Sequence, residues 1–338
     1  MLRRPGISRI QAIILIAVVA LVVGLSFSAI QKVRGAAAMM KCSNNLKQLA
    51  IGLKNYDWTM GSLPMLTDQG EKSSTGNGIV SVIYSLVPYL ECRANAYGIG
   101  TEVSRYNGHS SIEYRMSGKG PPFDPPMIQH GGDANQYWPI FICPADTTAV
   151  KLRDIPMTLP NGSTGYYATG SYAANGMLPW GKSPLEKACL NGTANTVVFA
   201  ERPQVCKTAS GETIYNLWGV GFYSPHMPAF AALAPADSPE SWNTGQIAPV
   251  RPLPDEGNAD QIRVRIGRAD AAPQSLDSLR PFQRSYDEPC DPRLPGTSHI
   301  SGMPCAMADG SVRIFSHRTT SWVFWSACVP SVQNAEGK

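Results

Sequence analysis

Charged residues are scarce in this chain: 16% of its 338 residues are Asp, Glu, Lys or Arg, and the formal net charge is +4. The basic residues are scattered, so the sequence lacks the basic stripe that nucleic-acid binding needs. Histidine is also rare, with five residues, and no two cysteines are spaced as CxxC, which argues against a usual zinc site. We therefore expect no nucleic acid, no bound metal and no cofactor.

Catalytic signatures are missing as well. The chain contains no G-x-S-x-G, no HExxH and no recognisable triad of nucleophile, base and acid. Glu201 ends a strand-like run but has no candidate partner nearby in the sequence, so we expect it to have a structural role. We expect no enzymatic activity, and an exported hydrolase is the least favoured of the hypotheses.

Glycine, proline and cysteine, by contrast, are plentiful. The 31 glycines and 28 prolines indicate many turns and short strands rather than a helical bundle. The eight cysteines are an even number, which favours disulfides in an oxidising compartment. Two segments rich in turn-forming and small residues, 95–136 and 225–285, are predicted to be long, variable loops.

The longest apolar run, Ile10 to Ile30, lies near the N-terminus. About 20 such residues in a helix span a bilayer core of about 30 Å. The run is preceded by Arg3, Arg4 and Arg9 and followed by Lys32, Arg34 and Lys41. The preceding charges favour a cytoplasmic N-terminus, while the following ones leave the orientation open on charge asymmetry alone.

A cleaved signal peptide is the competing interpretation, with a small-residue cleavage site at residues 36–38. The apolar run is longer than the usual signal core of about 7–15 residues. The residues after it, 31–58, lack proline and keep apolar positions at helical spacing. The sequence therefore predicts one helical unit over residues 7–60, a rod of about 75 Å that is apolar first and amphipathic second. Gly61 and Pro64 end it.

Such a helix resembles the N-terminus of type IV pilins and of type II secretion pseudopilins. The chain is most similar to a pseudopilin-like family of planctomycete bacteria, which has a prepilin-type cleavage and methylation segment and a C-terminal H-X9-DG segment. The matching N-terminal residues are 29–34, 36–37 and 42–48, and the later blocks are 81–92, 139–148, 170–176, 190–202 and 290–328. We expect a core helix or strand at 81–92 and a buried strand at the start of 139–148.

The resemblance implies a leader over residues 1–6, cut after Gly6, with Ile7 as the methylated N-terminus. Gln11 stands at the assembly position, where the family has a Glu that neutralises a neighbouring subunit's terminal amine. Gln forms hydrogen bonds but cannot cancel a charge in the membrane. Arg9 and Ser28 also depart from the family, at positions that bear on processing and assembly.

The C-terminal block contains His299, then nine residues, then Asp309 and Gly310, which is the H-X9-DG pattern. Asp-Gly between strand-like runs predicts a hairpin with a type I′ turn. His299 and Asp309 invite a metal-site hypothesis, but two ligands do not make a zinc site. We expect His299 to be structural and to bond backbone near the hairpin.

Three disulfides are predicted, each placed in or around the family-like blocks. The pairs are Cys290 with Cys328, Cys189 with Cys206, and Cys42 with Cys143. The last of these would link the helix to the sheet.

The resemblance implies an α+β fold with the long helix packed on an antiparallel sheet, and an exported β-rich domain over residues 61–338. The first hypothesis is a pseudopilin-like structural or assembly protein of a type II secretion or type IV pilus-like system. The chain would be a single-pass inner-membrane protein with its domain in the periplasm or at the cell surface. Its partners would be the bilayer, prepilin peptidase and other pilin-like subunits. The alternative is a membrane-tethered module that binds a solute or glycan not identified by the sequence.

Overall fold

The computed structural model describes most of the chain, apart from its first eight residues, its last eight residues and several internal segments. The described ranges are 9–69, 79–90, 99–106, 109–116, 139–148, 155–158, 164–181, 183–221, 224–231, 233–234, 253–255, 258–264, 267–268, 274–275, 280–285 and 289–330. The predicted leader, with Gly6 and Ile7, lies outside the described residues.

Strands outnumber helices among the described elements. The α-helices are α1 (Arg9–Met60), α2 (Val82–Leu86), α3 (Leu185–Ala188) and α4 (Ser321–Cys328), and short 3-10 helices span Val87–Tyr89, Pro139–Phe141 and Thr193–Asn195. The strands are β1 (Thr67–Gln69), β2 (Ile79–Ser81), β3 (Ile99–Tyr106), β4 (His109–Met116), β5 (Ile155–Thr158), β6 (Thr164–Tyr167), β7 (Tyr172–Asn175), β8 (Val197–Glu201), β9 (Val205–Lys207), β10 (Thr213–Tyr215), β11 (Ala229–Phe230), β12 (Leu233–Ala234), β13 (Leu253–Asp255), β14 (Asn258–Val264), β15 (Gly267–Arg268), β16 (Gln274–Ser275), β17 (Gln283–Arg284), β18 (Gly296–Thr297), β19 (Met303–Met307) and β20 (Val312–Phe315). A long N-terminal helix thus precedes a mixed body with antiparallel sheets, as expected of the α+β class.

α1 is one continuous helix of 52 residues, about 78 Å long, and it ends before Gly61 as predicted. Its two halves differ in burial. Every side chain described from Ile13 to Ala37 is exposed. From there on, one stripe is buried, at Met39, Cys42, Leu46, Leu49, Leu53 and Tyr56. Because these positions recur every three or four residues, they form a single apolar face.

The first half of α1 is long and apolar enough to span a membrane. An 18-residue window in it has a mean hydropathy of 2.9, and none of that window is buried. A signal sequence near the N-terminus can meet the same criteria of length and hydropathy, so these criteria alone do not distinguish the two.

A five-stranded sheet forms the centre of the body, in the order β11-β7-β8-β19-β20. β7, β8, β19 and β20 pair antiparallel, and β11 adds at the edge, parallel to β7. The register between β19 and β8 shifts at Ala306 and Met307, which forms a β-bulge. These two strands are also the ones that α1 contacts most.

The two faces of this sheet are covered by different helices. On one face, the buried stripe of α1 forms a core cluster with Tyr172, Phe199 and Ala306. On the other face, Phe324 and Trp325 of α4 join a second core cluster. Because neighbouring strand residues point to opposite faces, both clusters draw on the same strands.

Three sequence-based expectations about local structure need correction. The segment 139–148 begins with a 3-10 helix rather than a strand, because an apolar run of four residues after a proline does not define a strand. The segment 95–136, expected to be a loop, contains the antiparallel hairpin of β3 and β4. The segment 225–285 contains several short strands, from β11 to β17. The predicted core element at 81–92 is α2, and all of its residues are buried.

Candidate functional site

The H-X9-DG segment is built around strand β19. His299 precedes the strand, and Asp309 and Gly310 lie in the turn after it. A strand of five residues is about 16 Å long, so the histidine and the aspartate are held at opposite ends of β19. The two residues therefore do not form a common site, and the nine-residue spacing reflects the length of a strand and its turn.

Each end of this strand contacts α1. At the Asp309 end, the Lys54 ammonium donates a hydrogen bond of 3.1 Å to the Asp309 backbone carbonyl. At the His299 end lies Cys143, which is bonded to Cys42 of α1. Cys42 and Lys54 are separated by about 18 Å along the helix, which matches the length of β19. The H-X9-DG segment thus lies along the packed half of α1 and is tied to it at both ends.

The turn at Asp309 and Gly310 forms the predicted hairpin, but it is not a type I′ turn. Gly310 has a φ of +91°, whereas Asp309 has no positive φ, as type I′ would require. The Met307 amide donates to the Ser311 carbonyl, and the Gly310 amide donates to the Met307 carbonyl. This is a three-residue loop with glycine in the left-handed position, the next most common hairpin type.

The Asp309 carboxylate organises this loop. Its Oδ1 accepts hydrogen bonds from the Ser311 amide (2.8 Å) and the Ser311 hydroxyl (2.7 Å). Burial tends to raise the pKa of the Asp309 carboxyl, but these hydrogen bonds and the nearby Lys54 charge outweigh it and lower the pKa. Asp309 is therefore an ionised residue that stabilises the hairpin loop through its hydrogen bonds to Ser311.

The other end of β19 is a buried cluster of four side chains, which we call the His299 cluster: Cys42, Cys143, Glu201 and His299. Their sulfur, carboxylate and imidazole ligand atoms all lie within 4.8 Å of one another. His299 Nε2 is 3.3 Å from Cys143 Sγ and 3.2 Å from Glu201 Oε1. The cluster joins α1, the turn after residue 141, the end of β8 and the segment after β18. It is the candidate functional site.

The side chains of Glu201 and His299 are each only 3% exposed, so water screens the interaction between them very little. Thr297 fixes both: its hydroxyl donates to Glu201 Oε2 at 2.5 Å and accepts from the His299 amide at 3.1 Å. Burial raises the pKa of the Glu201 carboxyl, and the His299 and Thr297 contacts offset this only in part.

One oxygen of this carboxylate has no hydrogen-bond partner among the described residues. The contact between Glu201 Oε1 and His299 Nε2 is close but lacks hydrogen-bond alignment, and no other described group donates to Oε1. Buried polar atoms are normally satisfied, so an unpaired carboxylate oxygen calls for a physical explanation.

Sequence reasoning missed the partners of both Glu201 and His299. The sequence predicts that His299 bonds backbone near the hairpin, with Asp309 as the one other ligand considered. Its Nε2 lies instead 3.3 Å from Cys143 Sγ and 3.2 Å from Glu201 Oε1. The family-like blocks that contain Cys42, Cys143 and Glu201 were the available signal, because each block contributes one member of the cluster. Thr297 also lies in such a block, 290–328, but nothing in its local sequence indicates a contact with Glu201.

Asn45, one turn of α1 beyond Cys42, adds a second polar link. Its amide nitrogen lies 3.2 Å from the Pro139 carbonyl, 3.1 Å from the Ile142 carbonyl and 3.1 Å from the Tyr172 hydroxyl. Asn45 is 1% exposed, so these bonds satisfy a polar group inside the core. These hydrogen bonds, next to the His299 cluster, hold α1 against the rest of the protein.

The charged pair at the end of β8 separates in space. Glu201 turns to His299, while Arg202 donates to backbone carbonyls of Pro225, Met227 and Ala229. Burial lowers the pKa of the Arg202 guanidinium to about 10, so it remains charged at neutral pH. The contacts of Arg202 are therefore structural, and those of Glu201 belong to the His299 cluster.

The cysteine pairs differ in part from those expected. The structure bonds Cys42 to Cys143 and Cys206 to Cys290. The predicted pairs Cys290–Cys328 and Cys189–Cys206 are therefore wrong. Cys328, at the end of α4, and Cys189, after α3, are free and lie in the two core clusters on opposite faces of the sheet. Cys290 instead lies beside β9, where its amide donates to the Lys207 carbonyl.

A cavity of about 180 Å³ lies away from this cluster, lined by Ile214, Met227, Ala229 and Arg293 among others. Small-molecule pockets usually measure about 300–1,000 Å³. This cavity therefore gives no specific support to a solute-binding site.

The fold and the cluster together define an α+β protein whose long N-terminal helix is fastened to a central sheet. Residues 31–320 match the family described as "Protein of unknown function (DUF1559)", which is most of the chain, and the chain belongs to that family. No curated protein and no solved structure matches it. The match begins at Gln31, so it contains the packed half of α1, the His299 cluster and the hairpin.

Proposed function

We propose that this protein is a membrane-anchored, pilin-like structural subunit whose body lies outside the cytoplasm, and that it has no catalytic activity. The observation that carries the proposal is the division of α1. Its described side chains from Ile13 to Ala37 are exposed and mostly apolar, whereas from Met39 to Tyr56 one face of the helix packs on the sheet.

A bilayer is the environment that suits the exposed half. Those 25 residues are about 37 Å long, enough to cross a hydrocarbon core of about 30 Å. Removing one large aliphatic side chain from water contributes about 1.5–3 kcal/mol, and an apolar surface of this extent on a soluble protein marks an interaction site. Lipid covers it on all sides.

The disulfides support the orientation, which the flanking charges leave open. Cys42 lies a few residues beyond the exposed half, and its bond to Cys143 needs an oxidising compartment, as does Cys206–Cys290. The body is therefore assigned to the periplasm or the cell surface, and the N-terminus to the cytoplasm.

The pilin-like part of the proposal is supported by the resemblance of the N-terminal segment and by the fastening of α1 to the sheet. It implies prepilin peptidase as the processing partner, with cleavage between Gly6 and Ile7. It also implies other pilin-like subunits as lateral partners. Gln11 is exposed on α1, where it can form hydrogen bonds with such a neighbour.

Membrane extraction combined with protease accessibility tests the anchor and its orientation. We expect the full chain to stay with membranes during an alkaline carbonate wash, and the body to be digested when protease is added to spheroplasts. Extraction by carbonate, or a body that resists protease until the membrane is broken, would contradict the proposal.

A matched pair of variants locates the anchor in α1. Leu15→Lys combined with Val19→Lys places two charges on one face of the exposed half, at a cost of about 2.5–3.5 kcal/mol each at a bilayer centre. We expect this variant to lose stable membrane association. Gln48→Lys, on the exposed side of the packed half, is the control and should remain anchored.

A further inference from the structure

The four side chains of the His299 cluster are a complete ligand set for a transition metal. They offer two sulfurs, one imidazole nitrogen and one carboxylate oxygen, all buried and all within 4.8 Å of one another. In a tetrahedral zinc site, bonds of about 2.0–2.3 Å place the ligand atoms about 3.3–3.8 Å apart. The His299 Nε2 contacts, 3.3 Å to Cys143 Sγ and 3.2 Å to Glu201 Oε1, are close to that spacing.

The unpaired oxygen of Glu201 points independently to a ligand. Oε2 accepts from the Thr297 hydroxyl, whereas Oε1 accepts no hydrogen bond from any described residue and is the carboxylate oxygen nearest His299. A buried acceptor that is left unsatisfied destabilises the folded chain, and the more so when the acceptor is charged. A cation shared with Nε2 and the sulfurs would satisfy it.

We propose that the chain with Cys42 and Cys143 reduced binds one Zn²⁺ at the His299 cluster, and that the Cys42–Cys143 disulfide and the metal are alternative states of this site. A dithiol reductant supplies two electrons and two protons to the Cys42–Cys143 disulfide, which becomes two thiols. The reductant is itself oxidised to a cyclic disulfide. Zn²⁺ then replaces the two thiol protons, which are released to solvent, and binds two thiolates, His299 Nε2 and Glu201 Oε1.

The surroundings are those of a metal site with oriented ligands. Thr297 holds Glu201 through its hydroxyl and His299 through its backbone amide, so one residue positions two ligands. Groups that orient metal ligands in this way commonly change metal affinity about 10- to 100-fold. Sulfur and nitrogen ligands in tetrahedral geometry favour zinc over magnesium or calcium.

The consequence is that the link between α1 and the body does not depend on oxidation. In either state Cys42 of α1 is joined to Cys143, and the metal adds Glu201 and His299 to the link. This inference is independent of the proposed function, because it needs only these four side chains and no membrane.

Cobalt titration of the full chain in detergent tests the proposal, since Co²⁺ reports thiolate ligation by its charge-transfer absorption. The protein is reduced, stripped of metal and kept without oxygen. We expect one Co²⁺ per chain, with thiolate and tetrahedral bands, displaced by Zn²⁺. The disulfide-bonded chain should show no such bands.

Variants assign the ligands. Cys42→Ser and His299→Gln should each weaken Co²⁺ binding tenfold or more, and Thr297→Val should weaken it to a similar extent by loosening both ligands. Cys189→Ser removes another buried thiol outside the cluster and should leave binding unchanged.

The proposal is overturned if the reduced chain is folded by circular dichroism and binds no stoichiometric metal. It is also overturned if the oxidised chain binds equally well, or if Cys189→Ser weakens binding as much as Cys42→Ser. Should the reduced, metal-free chain unfold, added Zn²⁺ must restore its circular dichroism. Failure to do so would count against the site.

Discussion

At the scale of single residues, the family-like blocks contain polar side chains that form hydrogen bonds with the backbone of other segments. Asn45 reaches carbonyls of the 139–142 turn, and Asn175 donates to the carbonyls of Val197 and Cys328. Asp146, which is partly buried, accepts from the amide of nearby Thr148 and from that of distant Gln204. Since buried polar groups must be paired, each such residue fixes one contact between elements that the apolar core alone would leave free to slide.

Gly302, within the H-X9-DG segment, is predicted to tolerate no side chain. Its φ is +133°, and a Cβ there would lie 2.3 Å from the Phe315 carbonyl oxygen. We expect Gly302→Ala to lower the free energy of unfolding by about 2–3 kcal/mol or more, measured by denaturant titration of the full chain in detergent.

Gly35→Ala is the matched control, because that glycine lies in α1 and the added methyl would meet nothing within 4 Å beyond the adjacent residues and the helix's own backbone. Alanine in a helix interior is favoured over glycine by about 0.5–1 kcal/mol. Equal stability losses in the two variants would contradict the assigned strain at Gly302.

His226 is predicted to make stability depend on pH. Burial and the nearby Arg202 charge lower the pKa of His226 below its ordinary value of 6.5. The unfolded chain then binds more protons than the folded chain, so stability falls as the pH drops below 6.5. Its Nδ1 also accepts a hydrogen bond from the Tyr215 amide, a role that an Asn oxygen can replace.

We therefore expect His226→Asn to lose less stability than the wild type between about pH 7 and about pH 5. Denaturant midpoints measured across this range provide the comparison. Parallel midpoint curves for the two proteins would show that His226 does not contribute.

At the scale of elements, the helix and the hairpin could be predicted from sequence because both follow local rules. Apolar periodicity set the extent of α1, and Asp309-Gly310 marked the turn. The turn type differed, since Gly310 alone takes the left-handed conformation. The hairpin of β3 and β4 was missed although Asn107-Gly108 separates its strands in the sequence, because the region's glycine and proline content outweighed that signal.

The His299 cluster could not be predicted in the same way. Cys42 and Cys143 are 101 residues apart, and His299 lies a further 156 residues along the chain. Such contacts depend on the tertiary packing of α1 against the sheet, which no local pattern encodes. The family-like blocks marked all four of the segments involved without showing that they meet.

The two halves of α1 are predicted to respond differently to the same substitution. Leu46 is fully buried in the core cluster with the sheet, whereas Leu25 is 67% exposed. We expect Leu46→Ala to lower the free energy of unfolding of the body by about 2–5 kcal/mol, and Leu25→Ala to leave it nearly unchanged. Tryptophan fluorescence during denaturation in detergent follows the body. Equal effects would contradict the division of α1.

At the scale of the whole molecule, α1 has an exposed apolar half and a half that packs on the sheet. Its first half provides the anchor in our proposal, and its second half is part of the core of the body. The disulfide at Cys42 and the Lys54 contact with Asp309 hold that second half at both ends of β19. An assembly of such helices in the membrane would transmit its geometry to the bodies, because no flexible linker separates them.

The central claim is that α1 anchors a pilin-like subunit in the membrane. Mass spectrometry that identifies the first residue of the mature chain, on protein isolated from membranes, tests it most directly. The account predicts a chain that begins at Ile7 with a methylated amine and keeps all of α1. A chain that still begins at Met1 would retain the anchor but exclude prepilin-type processing. A mature chain that begins near Met39, released from the membrane, would contradict the account, because the exposed half of α1 would then be a discarded signal sequence.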